Sequence, residues 1–491
     1  MNAPLRRVAV ACLVLFGLLL INVNYVQVVK ASDYRNDTRN KRGLLRSYSH
    51  ERGPIVLSAG GGANAVAVDK ATPAEQYKFL RTYPGGAAFA HVTGFASLVY
   101  GRTGIEQAEN DVLSGQSDNL FARRLSDYIT GRKPEGGRVV LTLQQAAQRA
   151  AYAGLQGKRG AVVALDPRTG AILAMVSTPS FDPARLSSHD STQIKDYWER
   201  LQADTAKPLL NRAISERYPP GSTFKVVTSA AALSSGKFTP DSVIDSPREL
   251  TFNDTKDTLK NFGGESCGDG THDTLVHSLV ISCNTAFGKL GIRVTASALR
   301  DQAEKFGLGD DGLRIPMRVS KSVFPTDTDL SQSQLAKSAI GQYDVAVTPL
   351  QMAMIAAGIA NGGSIMTPYL VREVQAPDLS TLSQTRPEVY KQAVSASVAE
   401  QLTSMMQLVV TNGTGTAAQI PGVAVAGKTG TAQHGEGAHP HAWFIAFAPA
   451  QDPQVAIAVL VEDGGNLGSE ATGGKVAAPI ARDVMRAILG Q

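Results

Sequence analysis

The hydrophobic and polar positions divide the chain into an apolar N-terminal run, a mixed region and a long periodic segment. The apolar run covers residues 8–29 and is diluted by polar residues only near its end. From residue 51 to about residue 141 the pattern is irregular, and it predicts a turn and strand at 51–58 and a short helix at 104–113. From residue 160 onward, periods of 2 and of 3.6 residues alternate, which predicts one sizeable domain of strands and helices.

The periodic segment opens with two almost wholly apolar runs, at 160–165 and 171–176, on either side of a turn. These runs predict a β-hairpin that is covered on both faces. The same patterns predict helices at 275–290, at 335–361 on either side of 345–349, at 398–410 and at 477–489, and strands at 423–426, 443–447 and 455–461. An opening hairpin, a helical middle, closing strands and a final helix predict an α+β fold, with helices packed on one antiparallel sheet built from both ends of the segment.

Length and composition fit a globular protein of several domains. The chain has 491 residues, of which 43% are hydrophobic and 19% charged, and its net charge is +5. This balance is not that of a disordered chain, and no basic cluster is interleaved with aromatic residues, so we expect no nucleic-acid partner. We predict three parts: residues 1–30 as a cytoplasmic tail and transmembrane anchor, 31–155 as a stalk and a small irregular non-catalytic domain, and 156–491 as the α+β domain.

The N-terminal apolar run is long enough to cross a membrane, since about 20 apolar residues suffice. A cleaved signal peptide and an uncleaved anchor would both contain such a run. The bulky and polar residues at 27–30 offer no small-residue cleavage site, which favours the anchor. Arg6 and Arg7 precede the run, so we expect the N-terminus to stay in the cytoplasm and the rest of the chain to be exported. An arginine-rich stretch at 33–49 is then expected to form an extended stalk.

A rigid turn that leads into a helix carries the first candidate for chemistry. Residues 218–227 read Tyr-Pro-Pro-Gly-Ser-Thr-Phe-Lys-Val-Val. Ser222 is expected in the first helical turn, with Lys225 one turn further on the same face. A hydroxyl and an amine held in this way can act as nucleophile and base in acyl transfer. Ser222 alone would equally fit an ordinary capping serine. A second pair, Ser234 and Lys237, encloses a glycine and is expected at the end of the same helix.

Ser282 and Asn284 form the second candidate group, on the helix predicted at 275–290. Residues two apart do not share a helix face, so both can point into one cleft only if the helix ends or distorts there. Ser282 can then relay a proton from Lys225 to a leaving group, and Asn284 can bind a substrate amide. A polar helix end is the alternative interpretation. A similar Ser-Asp-Asn stretch at 117–119 precedes the nucleophile and falls in the other predicted domain.

The third candidate group is the Gly-Lys-Thr-Gly-Thr stretch at 427–431, which follows apolar residues and is therefore expected on a strand. Gly427 and Gly430 allow another backbone to approach closely. Lys428 and Thr429 can bind a carboxylate. Lys428 also supplies a second cation, which would lower the pKa of the lysine in the first motif.

The order of the motifs separates one set from its looser copies. Only one set follows the order serine–lysine, serine–asparagine, lysine–threonine–glycine within one segment. The first two motifs of this set are expected on helices and the third on a strand. Arg-Thr-Gly at 102–104 and at 168–170 precedes the nucleophile and lacks the lysine. An oxyanion hole is expected from the backbone N–H groups of Ser222 and Thr431.

Cysteines and histidines show no metal-ligand spacing, so we expect neither a metal nor a cofactor. Cys267 and Cys283 are expected on the exported side, where they can form a disulfide or remain two small buried thiols, while Cys12 lies in the apolar run. The histidines are expected on the surface or in strands: His272, His277, His434, His439 and His441.

These motifs resemble those of the class B penicillin-binding proteins, particularly the actinobacterial members. The likeness covers essentially the whole chain and rests on residues 218–225, 282–285 and 428–432, and also on 160–183, 348–353, 359–363 and Arg52-Gly53. It implies a serine β-lactamase-like transpeptidase domain. The roles it implies are catalytic for Ser222, Lys225 and Ser282, and substrate-binding for Asn284, Lys428, Thr429, Gly430 and Thr431. No room for a glycosyltransferase domain lies between anchor and transpeptidase, which argues against class A.

The resemblance implies a membrane-anchored D,D-transpeptidase that cross-links peptidoglycan through an acyl-serine intermediate and is acylated by β-lactams. The implied partners are stem peptides, their lipid-linked precursor, the cytoplasmic membrane and a lipid-II polymerase of the shape, elongation and division family. A D,D-carboxypeptidase would use the same residues with water as acceptor, and a serine β-lactamase would need fast deacylation. A non-enzymatic scaffold or β-lactam sensor would share the fold. The stalk and extra domain favour the transpeptidase.

Overall fold

The computed structural model describes residues 3–30, 48–58, 64–117 and 135–491, apart from residues 254, 328, 434 and 436. Most of the predicted stalk, residues 118–119 of the looser serine–asparagine copy and His434 therefore lie outside the described residues. Residues 3–29 form an exposed apolar helix, the one helix among the described residues that is long and apolar enough to cross a membrane. This helix fits the predicted membrane anchor.

The strands and helices are numbered in chain order. The strands are β1 Ile55–Leu57, β2 Ala65–Ala71, β3 Phe79–Thr82, β4 Ala96–Ser97, β5 Gly101–Arg102, β6 Arg138–Leu141, β7 Gly160–Leu165, β8 Ile172–Thr178, β9 Val243–Asp245, β10 Glu249–Thr251, β11 Thr258–Lys260, β12 His272–Thr274, β13 Ser364–Met366, β14 Val371–Gln375, β15 Thr381–Gln384, β16 Val389–Gln392, β17 Ala426–Ala432, β18 His441–Ala448 and β19 Val455–Val461. The helices are α1 Ala3–Asn24, α2 Ala90–Thr93, α3 Gly104–Ala108, α4 Asn110–Leu113, α5 Gln145–Gly154, α6 Pro183–Leu186, α7 Ser191–Ala203, α8 Lys225–Ser234, α9 Leu275–Val280, α10 Asn284–Val294, α11 Ala296–Lys305, α12 Gln332–Ala339, α13 Pro349–Ala360, α14 Ala396–Asn412 and α15 Ala478–Leu489.

The central sheet of the later segment has the strand order β17-β18-β19-β7-β8, and every neighbouring pair is antiparallel. Its side chains alternate between two cores, so that Ala161 and Val163 face one core while Val162 and Ala164 face the other. Helix α13 packs on one face, and α5 and α15 pack together on the opposite face. The predicted α+β fold, with a sheet assembled from both ends of the segment, is confirmed.

A second sheet has the order β15-β14-β6-β1-β2-β3 and is more regular than the sequence pattern predicted. Strands β1 and β6 are parallel, with Ile55 opposite Val139. Strand β14 lies antiparallel to β6, with Val374 opposite Val139. Two strands from beyond residue 370 therefore complete a sheet that otherwise belongs to the N-terminal region.

Three predicted elements have different bounds in the structure. The helix predicted at 275–290 is interrupted, because Ser282 has a positive φ of 64° and α10 begins only at Asn284. The helix predicted at 104–113 is split at Glu109 into α3 and α4. The strand predicted at 423–426 begins only at Ala426, since the apolar residues before it pack on the core without joining the ladder.

Candidate active site

The nucleophile turn, Gly221–Phe224, is a single 3₁₀ turn that leads directly into α8. Gly221 has a φ of +53°, and a side chain there would lie 2.7 Å from the carbonyl oxygen of Thr431. Only glycine fits this conformation and this gap. The Gly221 N–H donates to the Gly341 carbonyl at 2.9 Å, which ties the turn to the loop before α13.

Ser222 is half-buried and lies inside the 3₁₀ turn. Pro220 precedes the 3₁₀ turn and Phe224 precedes α8. Among the described residues, no side chain caps the start of either element. A capping role therefore does not account for Ser222. The looser pair, Ser234 and Lys237, lies at the exposed end of α8.

Lys225 is the first residue of α8 and is completely buried. Its Nζ donates to the Ser282 carbonyl oxygen at 2.6 Å and to Asn284 Oδ1 at 2.7 Å, and lies 3.3 Å from Ser282 Oγ. The left-handed backbone at Ser282 makes these contacts possible, because it turns both Ser282 and Asn284 towards the same amine. The break that the spacing of the motif requires is therefore present.

Lys428 approaches Ser282 from the sheet. Its Nζ donates to Ser282 Oγ at 2.8 Å and to the Thr429 carbonyl oxygen at 3.0 Å. Both lysine side chains are fully buried, and within the described residues no carboxylate forms an ion pair with either of them. Two amines thus converge on one serine hydroxyl without a compensating negative charge.

Burial lowers the pKa of both amines, and charge repulsion lowers that of Lys225 further. Burial first, and then the positive charge of Lys428, lowers the pKa of Lys225 well below its ordinary value. Burial lowers the pKa of Lys428 to about 7. A neutral Lys225 retains two N–H donors for its two short hydrogen bonds and gains a lone pair that can accept a proton.

The lysine–threonine–glycine motif lies on β17, the edge strand of the central sheet. A side chain at Gly430 would lie 2.8 Å from Thr223 Cγ2 and 3.0 Å from the Pro220 carbonyl oxygen, so glycine permits the close approach of the nucleophile turn. Thr431 is half-buried, and the Thr429 hydroxyl lies 2.6 Å from the hydroxyl of Thr414. This strand therefore brings hydroxyl groups and the Lys428 amine to the side of the sheet where Ser282 lies.

Asn261 is a site residue that the sequence reasoning missed. Its Oδ1 accepts hydrogen bonds from the backbone N–H groups of Asn284 at 2.8 Å and Thr285 at 3.1 Å, where a capping side chain would act. In the structure Cys267 and Cys283 are joined by a disulfide, with 6.2 Å between their Cα atoms. A loop distant in sequence thus holds the start of α10. No local pattern distinguishes such an asparagine from any other loop residue.

The remaining candidates lie apart from the cleft. Arg102 is in β5, and Arg168 is in the turn of the β7–β8 hairpin. His272 and His277 are exposed by half, and His441 is buried in β18. The residues that the structure describes contain no cluster of metal-ligating side chains.

Two family models match the chain. Residues 160–486 match the penicillin binding protein transpeptidase domain. Residues 52–139 match the penicillin binding protein A dimerisation domain.

Curated relatives and solved structures agree with these models. The chain is 49% identical to peptidoglycan D,D-transpeptidase PbpA of Mycolicibacterium smegmatis over 100% of this chain and 99% of that protein. It is 47% identical to the PbpA of Mycobacterium tuberculosis H37Rv, with the same coverage. The ceftriaxone acyl-enzyme of penicillin-binding protein A from M. tuberculosis superposes with a TM-score of 0.86 at 45% identity, covering 91% of this chain and 100% of that one. The penicillin G acyl-enzyme of the same protein gives 0.84 at 46% identity, covering 90% and 100%.

Proposed function

This chain belongs to the class B penicillin-binding proteins, and from that membership we propose which of its residues carry out the reaction. The protein is a serine-type peptidoglycan D,D-transpeptidase of cell-wall synthesis. The observation that carries the assignment of residues is the convergence of Lys225 and Lys428 on Ser282, with the half-buried Ser222 three residues before Lys225 in the nucleophile turn.

In the acylation step, Ser222 Oγ forms a bond to the carbonyl carbon of the penultimate D-alanine of a stem peptide. The proton of Ser222 moves to the neutral Lys225 amine, whose lowered pKa makes it a base at neutral pH. The bond from that carbonyl carbon to the terminal D-alanine nitrogen then breaks. Ser282 gives its proton to the leaving amine and takes in return the proton that Lys225 received, so that Lys225 is neutral again. The oxyanion is stabilised by the N–H groups of Ser222 and Thr431.

In the second step, an amine of another stem peptide forms a bond to the acyl carbon, and the bond to Ser222 Oγ breaks. The proton of the attacking amine returns to Ser222 through Lys225. Lys428, Thr429, Gly430 and Thr431 bind the substrate along the edge strand, and Asn284 binds a substrate amide. The position of β17 at the edge of the central sheet and the hydroxyls of Thr429 and Thr414 support this placement. β-Lactams acylate the same serine.

The finer features of location and partnership are also proposals. Residues 1–30 would cross the cytoplasmic membrane once with the N-terminus inside, 31–155 would form the stalk and non-catalytic domain, and 156–491 the transpeptidase domain. The exposed apolar helix and the two arginines in its first turns support the anchor and its orientation. A lipid-II polymerase of the shape, elongation and division family would supply the lipid-linked precursor.

Acylation of the full-length protein in detergent by fluorescent penicillin tests the assignment. We expect a long-lived covalent adduct on the wild type, seen by intact-protein mass spectrometry, and no adduct on Ser222→Ala. Ser234→Ala, in the looser copy of the motif, is the matched control and should react like the wild type. An adduct on folded Ser222→Ala would overturn the assignment of the nucleophile, and release of the adduct within seconds would indicate a β-lactamase.

A further inference from the structure

A buried carboxylate lies behind the nucleophile turn. The phenol of Tyr218, four residues before the reactive serine, donates a hydrogen bond to Glu462 Oε1 at 2.6 Å. Burial first, and then the negative charge of Glu462, raises the pKa of this phenol, so Tyr218 remains a donor at physiological pH. Neither the three motifs nor the proposed mechanism uses Glu462.

Glu462 is held rigidly where the central sheet ends. It follows the last residue of β19, and its Oε1 accepts from Arg212 Nε at 2.7 Å. Its other oxygen lies 3.2 Å from Arg159 Nε. Arg212 is 3% exposed and also donates to the carbonyl oxygens of Ala206 and Lys207, so the guanidinium has a fixed orientation. The carboxylate is therefore a fixed acceptor at the end of the sheet.

The aromatic ring of Tyr218 is fixed by other contacts than its hydroxyl. It packs edge-on against Trp443 and His441 of β18. The backbone N–H of Tyr218 donates to the Val347 carbonyl oxygen, and its carbonyl oxygen accepts from the Val347 N–H. The indole N–H of Trp443 donates to the Pro219 carbonyl oxygen at 3.0 Å. These contacts fix the position of the ring, whereas the hydrogen bond to Glu462 fixes the direction of its hydroxyl end.

We propose that Glu462 is a positioning residue, which through the Tyr218 hydroxyl fixes the nucleophile turn relative to the edge strand that binds the substrate. Two consecutive prolines separate Tyr218 from Gly221, and their fixed φ angles transmit a tilt of Tyr218 to Ser222 with little loss. Gly430 on β17 and Gly221 allow backbone contact between turn and strand, so a small tilt alters the distance from Ser222 to the substrate carbonyl. The proposal rests on Ser222 being the nucleophile.

The test is the acylation kinetics of full-length Glu462→Gln and Tyr218→Phe with penicillin G, resolved into a binding constant and a rate constant for bond formation. We expect the rate constant of Glu462→Gln to fall about tenfold or more with the binding constant within about twofold, since misplacement by even 1 Å can cost about 100-fold. Tyr218→Phe keeps the ion pairs of Glu462 and should lower the same rate constant, by a smaller factor. The double variant should be no slower than Glu462→Gln, because one change weakens and the other removes the same hydrogen bond.

Asp463→Asn is the matched control. Asp463 is the next residue along the chain and also pairs with Arg159, but its carboxylate is not the acceptor of the Tyr218 hydroxyl. A purely structural role would lower the thermal midpoint while leaving the rate constant of the folded fraction, counted by active-site titration, unchanged. Rate constants for Glu462→Gln and Tyr218→Phe equal to that of Asp463→Asn would overturn the proposal. Should Glu462→Gln not fold, Tyr218→Phe alone decides. A wild type that is not acylated would instead refute the proposed function.

Discussion

Two buried clusters of charged side chains differ in their balance of charge, and we connect this difference with stability in one cluster and with reactivity in the other. In the N-terminal region, Glu106 accepts from Arg52 Nε at 2.6 Å and from Arg81 Nε at 2.6 Å, and Arg81 also pairs with Asp69 at 3.1 Å. Two cations thus meet two anions. In the candidate active site two buried lysines donate to neutral oxygen atoms, and among the described residues no carboxylate pairs with either of them.

The balance of charge decides what burial does to each group. Burial alone would raise the pKa of Glu106, but the guanidiniums of Arg81 and Arg52 outweigh burial and lower that pKa. Glu106 therefore stays charged. The pKa of Lys225 is lowered by burial and further by Lys428, and in the described part of the chain no carboxylate pairs with this lysine to oppose either effect. We therefore expect the balanced cluster to stabilise the fold around it, and the unbalanced one to provide the base that we propose.

The largest effect is expected from removing the amine of Lys225. Lys225→Met should lower the rate of acylation by β-lactam by about 1,000-fold, because general-base catalysis contributes about 100-fold to 10,000-fold. The fold should survive, since the change also removes an uncompensated buried amine. Stopped-flow acylation and circular dichroism measure the two effects. Lys237→Met, which changes the exposed lysine of the looser copy, is the control. An equal loss of acylation rate in both variants would contradict the proposal that Lys225 is the base.

Removing one charge from the balanced cluster should affect stability rather than chemistry. Glu106→Gln leaves two buried guanidiniums without their shared carboxylate, which costs about 3–5 kcal/mol of unfolding free energy. The acylation rate per folded molecule should not change. Urea denaturation of the full-length protein and active-site titration test both parts, with the exposed Asp111→Asn as control. A slower reaction of the folded fraction would show that this cluster also serves the active site.

The pH dependence of stability should also distinguish the clusters. Lys428 has a pKa of about 7 in the folded protein and an ordinary value of 10.5 when unfolded. The unfolded chain therefore binds more protons between these values, and the folded state gains stability as pH rises, by up to about 1.4 kcal/mol per pH unit. The difference in unfolding free energy between wild type and Lys428→Met should increase from pH 7 to pH 9. Parallel curves would mean that Lys428 keeps its ordinary pKa.

The smallest effect on stability is expected from an exposed ion pair whose atoms are almost as close as those of the buried Glu106 pairs. Lys337 Nζ lies 2.8 Å from Asp257 Oδ2, but the Asp257 side chain is 63% exposed. Asp257→Asn should change the unfolding free energy by less than about 0.5 kcal/mol, because water screens such pairs. A loss comparable to that of Glu106→Gln would show that distance, and not burial, sets the strength of these contacts.

Local patterns in the sequence were sufficient for much of the fold. The β7–β8 hairpin was predictable because both of its strands are continuously apolar, and α13 begins at Pro349 after Thr348, whose side chain caps it. The order of the three motifs likewise pointed to one cleft, and the structure brings Lys225, Ser282 and Lys428 together. Each of these signals lies within a few residues of the feature it specifies.

Features that depend on distant partners were not predictable. The left-handed backbone of Ser282 is stabilised by contacts with Lys225 and with the Asn261 loop, and periodicity alone extended one helix through it. Lys428 and Thr429 are polar yet buried within β17, so the hydrophobic pattern placed the strand too early in the chain. Glu462 follows a strand in an ordinary acidic turn, and only the fold brings it to Tyr218.

The second sheet has a consequence for how the chain is made. Strands β1, β2, β3 and β6 leave the ribosome early, but β14 covers the open edge of β6 and arrives only with residues 371–375. Pairing across so long an interval is slow, and until it occurs the backbone of β6 is a template for other strands. Limited proteolysis of a chain that ends at residue 370 should cut within residues 135–145. A prematurely terminated protein thus displays a bare strand edge, by which cellular quality control can distinguish it from a finished one.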